Sequence, residues 1–285
     1  MIKKIVWLTS YPKSGNTWLR YLISNYFYNT EKSFDFNIIR KIDKFPSEKY
    51  FNDITPLEKK EILKDPKKIS KHWIPSQINF QKKINDFVFF KTHNPLIVLD
   101  NNYFTSEDVS LAIIHIVRDP RDVVLSYSNF TNKSIDETID FLITKKLFIR
   151  HTLDKQSLDF DMLGSWSLHY TSWRDGLIKI PRILIRYEDL LEKPHLEFSN
   201  LIKFLSKILN IEVSEKQINF SLESSSFKNL SKNEKVTGFS ENNAQNNKNF
   251  FNIGKKNQWE SKLSYSQVKK IEKSFLIEMG HLGYL

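Results

Sequence analysis

Apolar residues follow two different periods along this chain. Four stretches, KKIVWLTSY near the start, DFVFFKT (86–92), LAIIHIV (111–117) and RILIRY (182–187), are short, β-branched or aromatic, and show no helical spacing. Continuous rather than alternating hydrophobicity predicts strands covered on both faces, as in a parallel sheet. Between them the spacing turns helical. Leu19, Leu22, Ile23, Tyr26 and Phe27 share one helix face. DPRDVVLSYSNF (119–130) opens with Asp119 placed as an N-cap and Pro120 at the first helical position. PHLEFSNLIKFLSKILN (194–210) aligns Phe198, Leu201, Ile202, Leu205, Ile208 and Leu209 on a stripe. SQVKKIEKSFLIEMG (266–280) predicts a last helix capped by Gly280. Segments 30–85 and 228–252 are polar, rich in lysine and asparagine and weakly periodic, and the second predicts a mobile surface loop.

Strands alternating with helices predict an α/β fold with a central, mainly parallel sheet flanked by helices, and such sheets bind ligands beyond the carboxyl ends of their strands. No internal repeat and no linker rich in Pro, Gly or Ser divides the chain, so a single domain over residues 1–285 is expected. A hydrophobic content of 40% with 14% aromatics supports a folded core. The apolar runs are too short to span a membrane. Pro12 and Lys13 end the first one too soon for a signal peptide. Cysteine is absent, which fits a cytoplasmic protein. The net charge of +10 admits an anionic partner, yet it arises amid abundant Lys, Asn and Ile. Charge alone does not choose between a nucleic acid, an anionic cofactor and no partner. The scattering of the lysines counts against a nucleic-acid surface.

Gly15, the first glycine of a chain that has no other before residue 164, stands between the first predicted strand and the first predicted helix, two residues after Lys13. A helix start offers unpaired N–H groups, a glycine lets backbone approach an anion, and a lysine adds full charge. The stretch TSYPKSGNTW therefore has the makings of a phosphate cradle. A Walker A loop would carry its lysine after the glycine, so a nucleoside triphosphatase is disfavoured. By itself the loop leaves open a tight turn with a solvated lysine.

YPKSGNTWL resembles the signature loop of the sulfotransferases that use 3′-phosphoadenosine 5′-phosphosulfate (PAPS), particularly the cytosolic type. FFKTHNP (89–95), VRDPRDVVLSYSNF (117–130), GSWSLHYTSW (164–173) and RYEDLLEKP (186–194) agree with that family in the same order, and SSSFKNL (224–230) and GKKNQW (254–259) are weaker echoes. The resemblance implies a P-loop-like three-layer fold, PAPS as the donor and adenosine 3′,5′-bisphosphate as the product. It also implies that Lys13 meets the 5′-phosphosulfate, that Ser14, Gly15, Asn16 and Thr17 line the cradle, and that Trp18 stacks on adenine. Arg118 and Ser126 would hold the 3′-phosphate, where a planar guanidinium fork suits the oxygens. Tyr187 would touch adenine, with Phe227 covering its other face.

Strand alternation sends Lys91 and His93 to the same side, and Pro95 takes the chain out of the sheet. An imidazole titrating near neutrality can accept a hydroxyl proton. His93, at this strand end and within the family motif, is assigned as general base and Lys91, with Lys13 the other catalytic cation, as a supporting cation near the transferring group. One departure concerns the C-terminal motif, where Asn252 and Ile253 replace two basic residues. Lys255 and Lys256, or Lys248, could restore the charge. His115, His151, His169 and His195 lack metal-ligand spacing, helix packing is the expected job of His169, and the mechanism needs no metal. An ATP-dependent phosphotransferase and a basic nucleic-acid-binding protein are the alternatives. The acceptor, a small molecule or carbohydrate, would be chosen by the segments around 30–85, 130–160 and 228–252, whose aromatics include Phe34, Phe36, Tyr50, Phe51, Trp73 and Phe80.

Overall fold

The computed structural model describes residues 4–31, 33–144, 148–150, 154–176, 179–239, 241, 250, 251 and 254–285. Its first elements are β1 (Ile5–Thr9), α1 (Asn16–Tyr28), β2 (Asp43–Lys44), α2 (Pro56–Lys64), α3 (Trp73–Gln81) and β3 (Val88–Thr92). A small hairpin of β4 (Val98–Leu99) and β5 (Asn102–Tyr103) precedes β6 (Ser110–Val117). Next come α4 (Pro120–Thr131), α5 (Ile135–Ile143), the paired strands β7 (Phe148–Arg150) and β8 (Phe160–Met162), α6 (Trp166–Asp175) and β9 (Arg182–Arg186). The remainder is helical: α7 (Tyr187–Glu192), α8 (Pro194–Leu209), α9 (Glu215–Ser224), α10 (Phe227–Thr237), α11 (Trp259–Lys262), α12 (Tyr265–Ser274) and α13 (Leu276–His281).

The main sheet has the order β2-β3-β1-β6-β9, and its β1–β3, β1–β6 and β2–β3 pairs are parallel. The four strands predicted from continuous apolar runs are its four long members. Every residue of β1 is buried, so both faces of that strand are covered as its composition requires. The described chain clusters into two compact units built from alternating segments. One holds the described residues of Met1–Tyr11, Asp43–His115 and Thr144–Leu184. Its core sets Ile5, Trp7, Phe90 and Ile113 of the sheet against Ile62, Trp73 and Trp173 of α2, α3 and α6, with Phe45 and Phe104 between. Trp7 is fully buried and still satisfies its indole N–H, which donates to Ser110 Oγ at 2.9 Å.

The other unit holds Pro12–Ile42, Ile116–Ile143 and the described residues of Ile185–Leu285. Here α1 is buried on more than the predicted stripe. Arg20 is only 3% exposed because its guanidinium donates to Glu241 and to the carbonyls of Ile39 and Ile42. As expected, Asp119 caps α4 by accepting from Arg121 N, and α8 buries Phe198, Leu201, Ile202 and Leu205.

Segment 30–85, polar and weakly periodic in sequence, nevertheless buries Ile38, Ile39, Ile42, Phe45, Phe51, Ile62, Ile69 and Trp73, and two expectations further along the chain change. Its helices are short and set by caps rather than by period, as in the capping box of Thr55 and Glu58 that starts α2. Residues 228–237, read as part of a mobile loop, belong to α10. Leu230 packs there with Tyr21, Ile38, Ile39 and Phe251, while 240 and 242–249 lie outside the described residues. The last predicted helix is two, parted at Phe275, and Gly280 sits inside α13 while Gly283 takes the positive φ of 68°. The break lies in the backbone of Phe275, which leaves helical geometry at φ −126°, although buried Ile271, Phe275 and Met279 keep the spacing of a single helical stripe.

Candidate active site

The loop after β1 is shaped by two left-handed residues, Lys13 (φ 68°) and Gly15 (φ 99°). At Gly15 a side chain is excluded twice over, because a β-carbon would also lie 2.6 Å from Tyr187 Cδ2 and 3.2 Å from Ile116 Cδ1. Asn16 then opens α1 with no side-chain cap at Gly15, leaving the first N–H groups of a thirteen-residue helix facing the loop. Ser14 is fully buried and its hydroxyl has no hydrogen-bond partner among the described residues. Thr17 and Trp18 are half-buried, and the Trp18 indole donates to the carbonyl of Ser225 at 3.0 Å.

Arg118 meets this loop directly. Its guanidinium is 7% exposed, donates to the carbonyls of Lys13 (3.3 Å) and Lys255 (3.2 Å), and lies 4.5 Å from the centre of the Tyr187 ring. Its Nε is buried and without a partner among the described residues. Tyr187, the first residue of α7, stands edge-on to Trp18 with ring centres 6.0 Å apart. Lys13, Gly15, Trp18, Arg118 and Tyr187 thus form one constellation. Ser126 is half-buried on α4. Phe227, at the start of α10, has its ring over Gly254, where a β-carbon would sit 2.7 Å from Cδ2. The side chain of Lys255 is exposed and the Lys256 ammonium pairs with Glu192, while Lys248, Asn252 and Ile253 lie outside the described residues.

Asp119 does not pair with Arg118 because Arg121 takes it through three contacts of 2.7–3.1 Å. Arg121 also binds Glu272 and the carbonyl of Tyr284 and lies 3.8 Å from the centre of the Trp259 ring. Arg118 keeps Asp122 at 3.7 Å, and burial raises the Asp122 carboxyl against the pull of that guanidinium. Glu188, raised by burial, accepts the backbone N–H of Asp119 and the hydroxyl of Tyr284. This scaffold fixes the turn that carries Arg118.

In the other unit, Lys91 lies on β3 and His93 follows the strand's end. Trp173 Nε1 donates to the carbonyl of Asn94 at 2.9 Å, and Ser172 Oγ accepts the N–H of Leu96 at 3.0 Å, so α6 pins the turn. His93 Nδ1 is 2.7 Å from the carbonyl oxygen of Ser10. A carbonyl only accepts, so Nδ1 carries the proton and Nε2 keeps its lone pair. Burial, helped by the positive charges of Lys91 and Lys44 and opposed by Asp161, holds the His93 pKa down to about 4. The imidazole is neutral near pH 7 and can accept a proton. His169 is 1% exposed on α6, as the packing role assigned to it requires, with its ring 5.6 Å from His115 and 6.0 Å from Tyr11.

Sequence reasoning missed two aromatic neighbours of Lys13. Its ammonium lies 4.3 Å from the centre of the Phe130 ring and 3.9 Å from that of Phe250. Phe130 ends one of the quoted motifs, but nothing in its spacing ties it to a lysine so far back in the chain.

Rat sulfotransferase 1A1 is 25% identical over 226 residues, covering 79% of this chain and 66% of the rat protein, so the chain spans about two thirds of that relative's length. Mouse sulfotransferase 1 family member D1 is 22% identical over 278 residues, covering 95% of this chain and 82% of its own. In fold, the chain is similar to mouse sulfotransferase SULT7A1 complexed with PAP (TM-score 0.56, 18% identity, 98% of this chain and 84% of that one). It is also similar to retinol dehydratase in complex with androsterone and inactive cofactor PAP (TM-score 0.61, 16% identity, 98% and 82%). The sulfotransferase domain model matches residues 3–283, and the chain belongs to the sulfotransferase family.

Proposed function

We propose that this protein is a PAPS-dependent sulfotransferase that moves a sulfuryl group to a hydroxyl or amine of a small-molecule or carbohydrate acceptor. The observation that carries the reading is the meeting of Arg118 with the backbone of Lys13 at 3.3 Å, over a glycine that Tyr187 covers. The residues present fit a doubly phosphorylated adenosine. Ser14 Oγ and Arg118 Nε are buried donors without partners among the described residues, and Trp18 with Tyr187 offers two ring surfaces suited to a base. When bound, PAPS supplies the sulfuryl group and a bisphosphate leaving group.

In this reading Lys13, Ser14 and the N–H groups from Gly15 to Thr17 stabilise negative charge where the sulfuryl group is transferred. Arg118, with Ser126, binds the second phosphate. Lys255, exposed and next to Gly254, is the nearer candidate to replace the missing basic pair, because Lys256 is engaged by Glu192. Phe227, over Gly254, closes the adenine side. His93 takes the acceptor's proton at Nε2, and its Nδ1–H stays on the Ser10 carbonyl, which supports the positive charge that develops on the ring. Lys91 lowers the tendency of His93 to be protonated before the acceptor arrives.

Calorimetry with adenosine 3′,5′-bisphosphate against AMP and ATP tests the donor. The bisphosphate is expected to bind at least about tenfold more tightly than AMP, the strength of one charged hydrogen-bonded pair. Arg118→Met should erase that margin. Equal affinity for all three nucleotides, or tighter binding of ATP with magnesium, overturns the assignment in favour of a phosphotransferase.

A further inference from the structure

The residues that grip Asp119 close a ring. Glu188 Oε1 accepts the Asp119 N–H at 3.0 Å, and Glu188 Oε2 accepts the hydroxyl of Tyr284 at 2.8 Å. On the other side the Asp119 carboxylate takes the Arg121 guanidinium, and Arg121 donates to the carbonyl of Tyr284 at 2.7 Å. Tyr284 therefore reaches both groups that hold Asp119, one through its side chain and one through its backbone. Gly283, at a φ of 68°, turns the chain into that place. There the Tyr284 N–H donates to the carbonyl of Met279 at 2.9 Å, and the Arg186 guanidinium lies 4.7 Å from the centre of its ring. Asp119, Arg121 and Glu188 are buried, so water competes little for these bonds.

The N–H that Glu188 holds belongs to the peptide plane joining Arg118 to Asp119. Strand β6, ending at Val117, sets the plane before Arg118, and Glu188 sets the plane after it. The direction in which the Arg118 side chain leaves the backbone is thereby fixed. Tyr187, whose ring Arg118 crosses at 4.5 Å, precedes Glu188 at the start of α7, so one short helix carries both the ring and the carboxylate.

We propose that Tyr284 is a positioning residue for the second phosphate: by holding Glu188 and Arg121 it keeps Arg118 aimed before ligand arrives, and so sets the preference for a bisphosphate over a monophosphate; this rests on the PAPS reading above. Without the hydroxyl, one oxygen of a buried carboxylate loses its partner. The carboxylate then turns or takes up a proton, and its hold on the Asp119 N–H loosens. Arg118 has to be ordered during binding, and affinity falls by that cost. A 5′-monophosphate, which the Lys13–Gly15 loop and the start of α1 would meet, is spared.

Tyr284→Phe removes the hydroxyl and keeps the ring and the carbonyl. Calorimetry should show the affinity ratio of adenosine 3′,5′-bisphosphate to AMP falling about threefold to tenfold, the scale of one hydrogen bond, with the AMP Kd within about twofold. In an Arg118→Met background the same substitution should leave the bisphosphate Kd unchanged, whereas a general loosening of the fold would add to the loss. Amide hydrogen exchange at Asp119 should be slow in the unmodified protein and quicken in Tyr284→Phe. An unprotected Asp119 amide in the unmodified protein, exchange unaltered by Tyr284→Phe, a ratio that survives it, or a further loss once Arg118 is gone overturns the proposal. If the unmodified protein binds bisphosphate and AMP alike, the PAPS reading fails instead, and Asp119 exchange still decides whether Tyr284 locks the turn.

Discussion

In the unit that carries the Lys13–Gly15 loop, three cations at and beside the site rest on ring faces: Lys13 on Phe130 and Phe250, Arg118 on Tyr187, and Arg121 on Trp259. Arginine and lysine keep their charge at any physiological pH, and the surroundings make that charge local and fixed. In the unit that carries His93 the groups of interest can lose their charge, and the surroundings ensure that they do. His93 is held to about 4, His115 to about 3, and His169 lies well below the usual 6.5, each through burial first, with Lys91 adding to the effect at His93, Arg182 at His115 and the neighbouring imidazoles at His169. In the reading proposed above, one region meets an anion and the other keeps a lone pair available, and each environment would be unsuited to the other's task.

The comparison breaks most sharply at His93. His93→Ala should lower kcat by about 10²–10⁴, the contribution of a general base, while adenosine 3′,5′-bisphosphate still binds with near wild-type affinity by calorimetry. Loss of nucleotide binding in that variant would mean that the imidazole shapes the anion side and that the division of labour is false. Gly15→Ala tests the other side. The left-handed backbone and the Tyr187 ring together should cost about 1–3 kcal/mol, read as a lower Tm, and bisphosphate affinity should fall with it. Unchanged melting and binding would show that the loop has no need of a bare backbone.

The smallest effect expected is on stability against pH. The folded-state pKa values of His93, His115 and His169 are all lowered from 6.5. As pH falls below about 6.5 the unfolded chain binds protons that the folded chain refuses, so stability drops toward pH 4 and is fully kept above 6.5. Thermal melts from pH 7.5 to 4.5 should show this slope, and His115→Leu should make it shallower. A slope that His115→Leu leaves unaltered would remove the buried histidines as its source.

Much of this was legible in the chain. The apolar runs marked the four long strands, Asp119-Pro120 marked the start of α4, and the Lys13–Gly15 stretch marked the loop where Arg118 and Tyr187 converge. What escaped reading depends on distant partners. Segment 30–85 looks polar because its short helices bury isolated residues, such as Ile62 and Trp73, rather than a repeating stripe. Residues 228–237 form α10 although few of them are apolar; Leu230 is buried there, and Glu234 is buried because two backbone N–H groups far along the chain require its carboxylate. The ring pair on Lys13 is likewise invisible to spacing, since it joins three separate stretches of sequence.

The contact of Tyr187 with Gly15 couples these two positions in one direction only. A side chain at 15 would meet both the Tyr187 ring and a left-handed backbone, so shrinking residue 187 would not make room for one, whereas a smaller residue at 187 would uncover the glycine and take the ring away from Arg118. An engineer wishing to reshape this turn must therefore keep glycine at 15 whatever stands at 187.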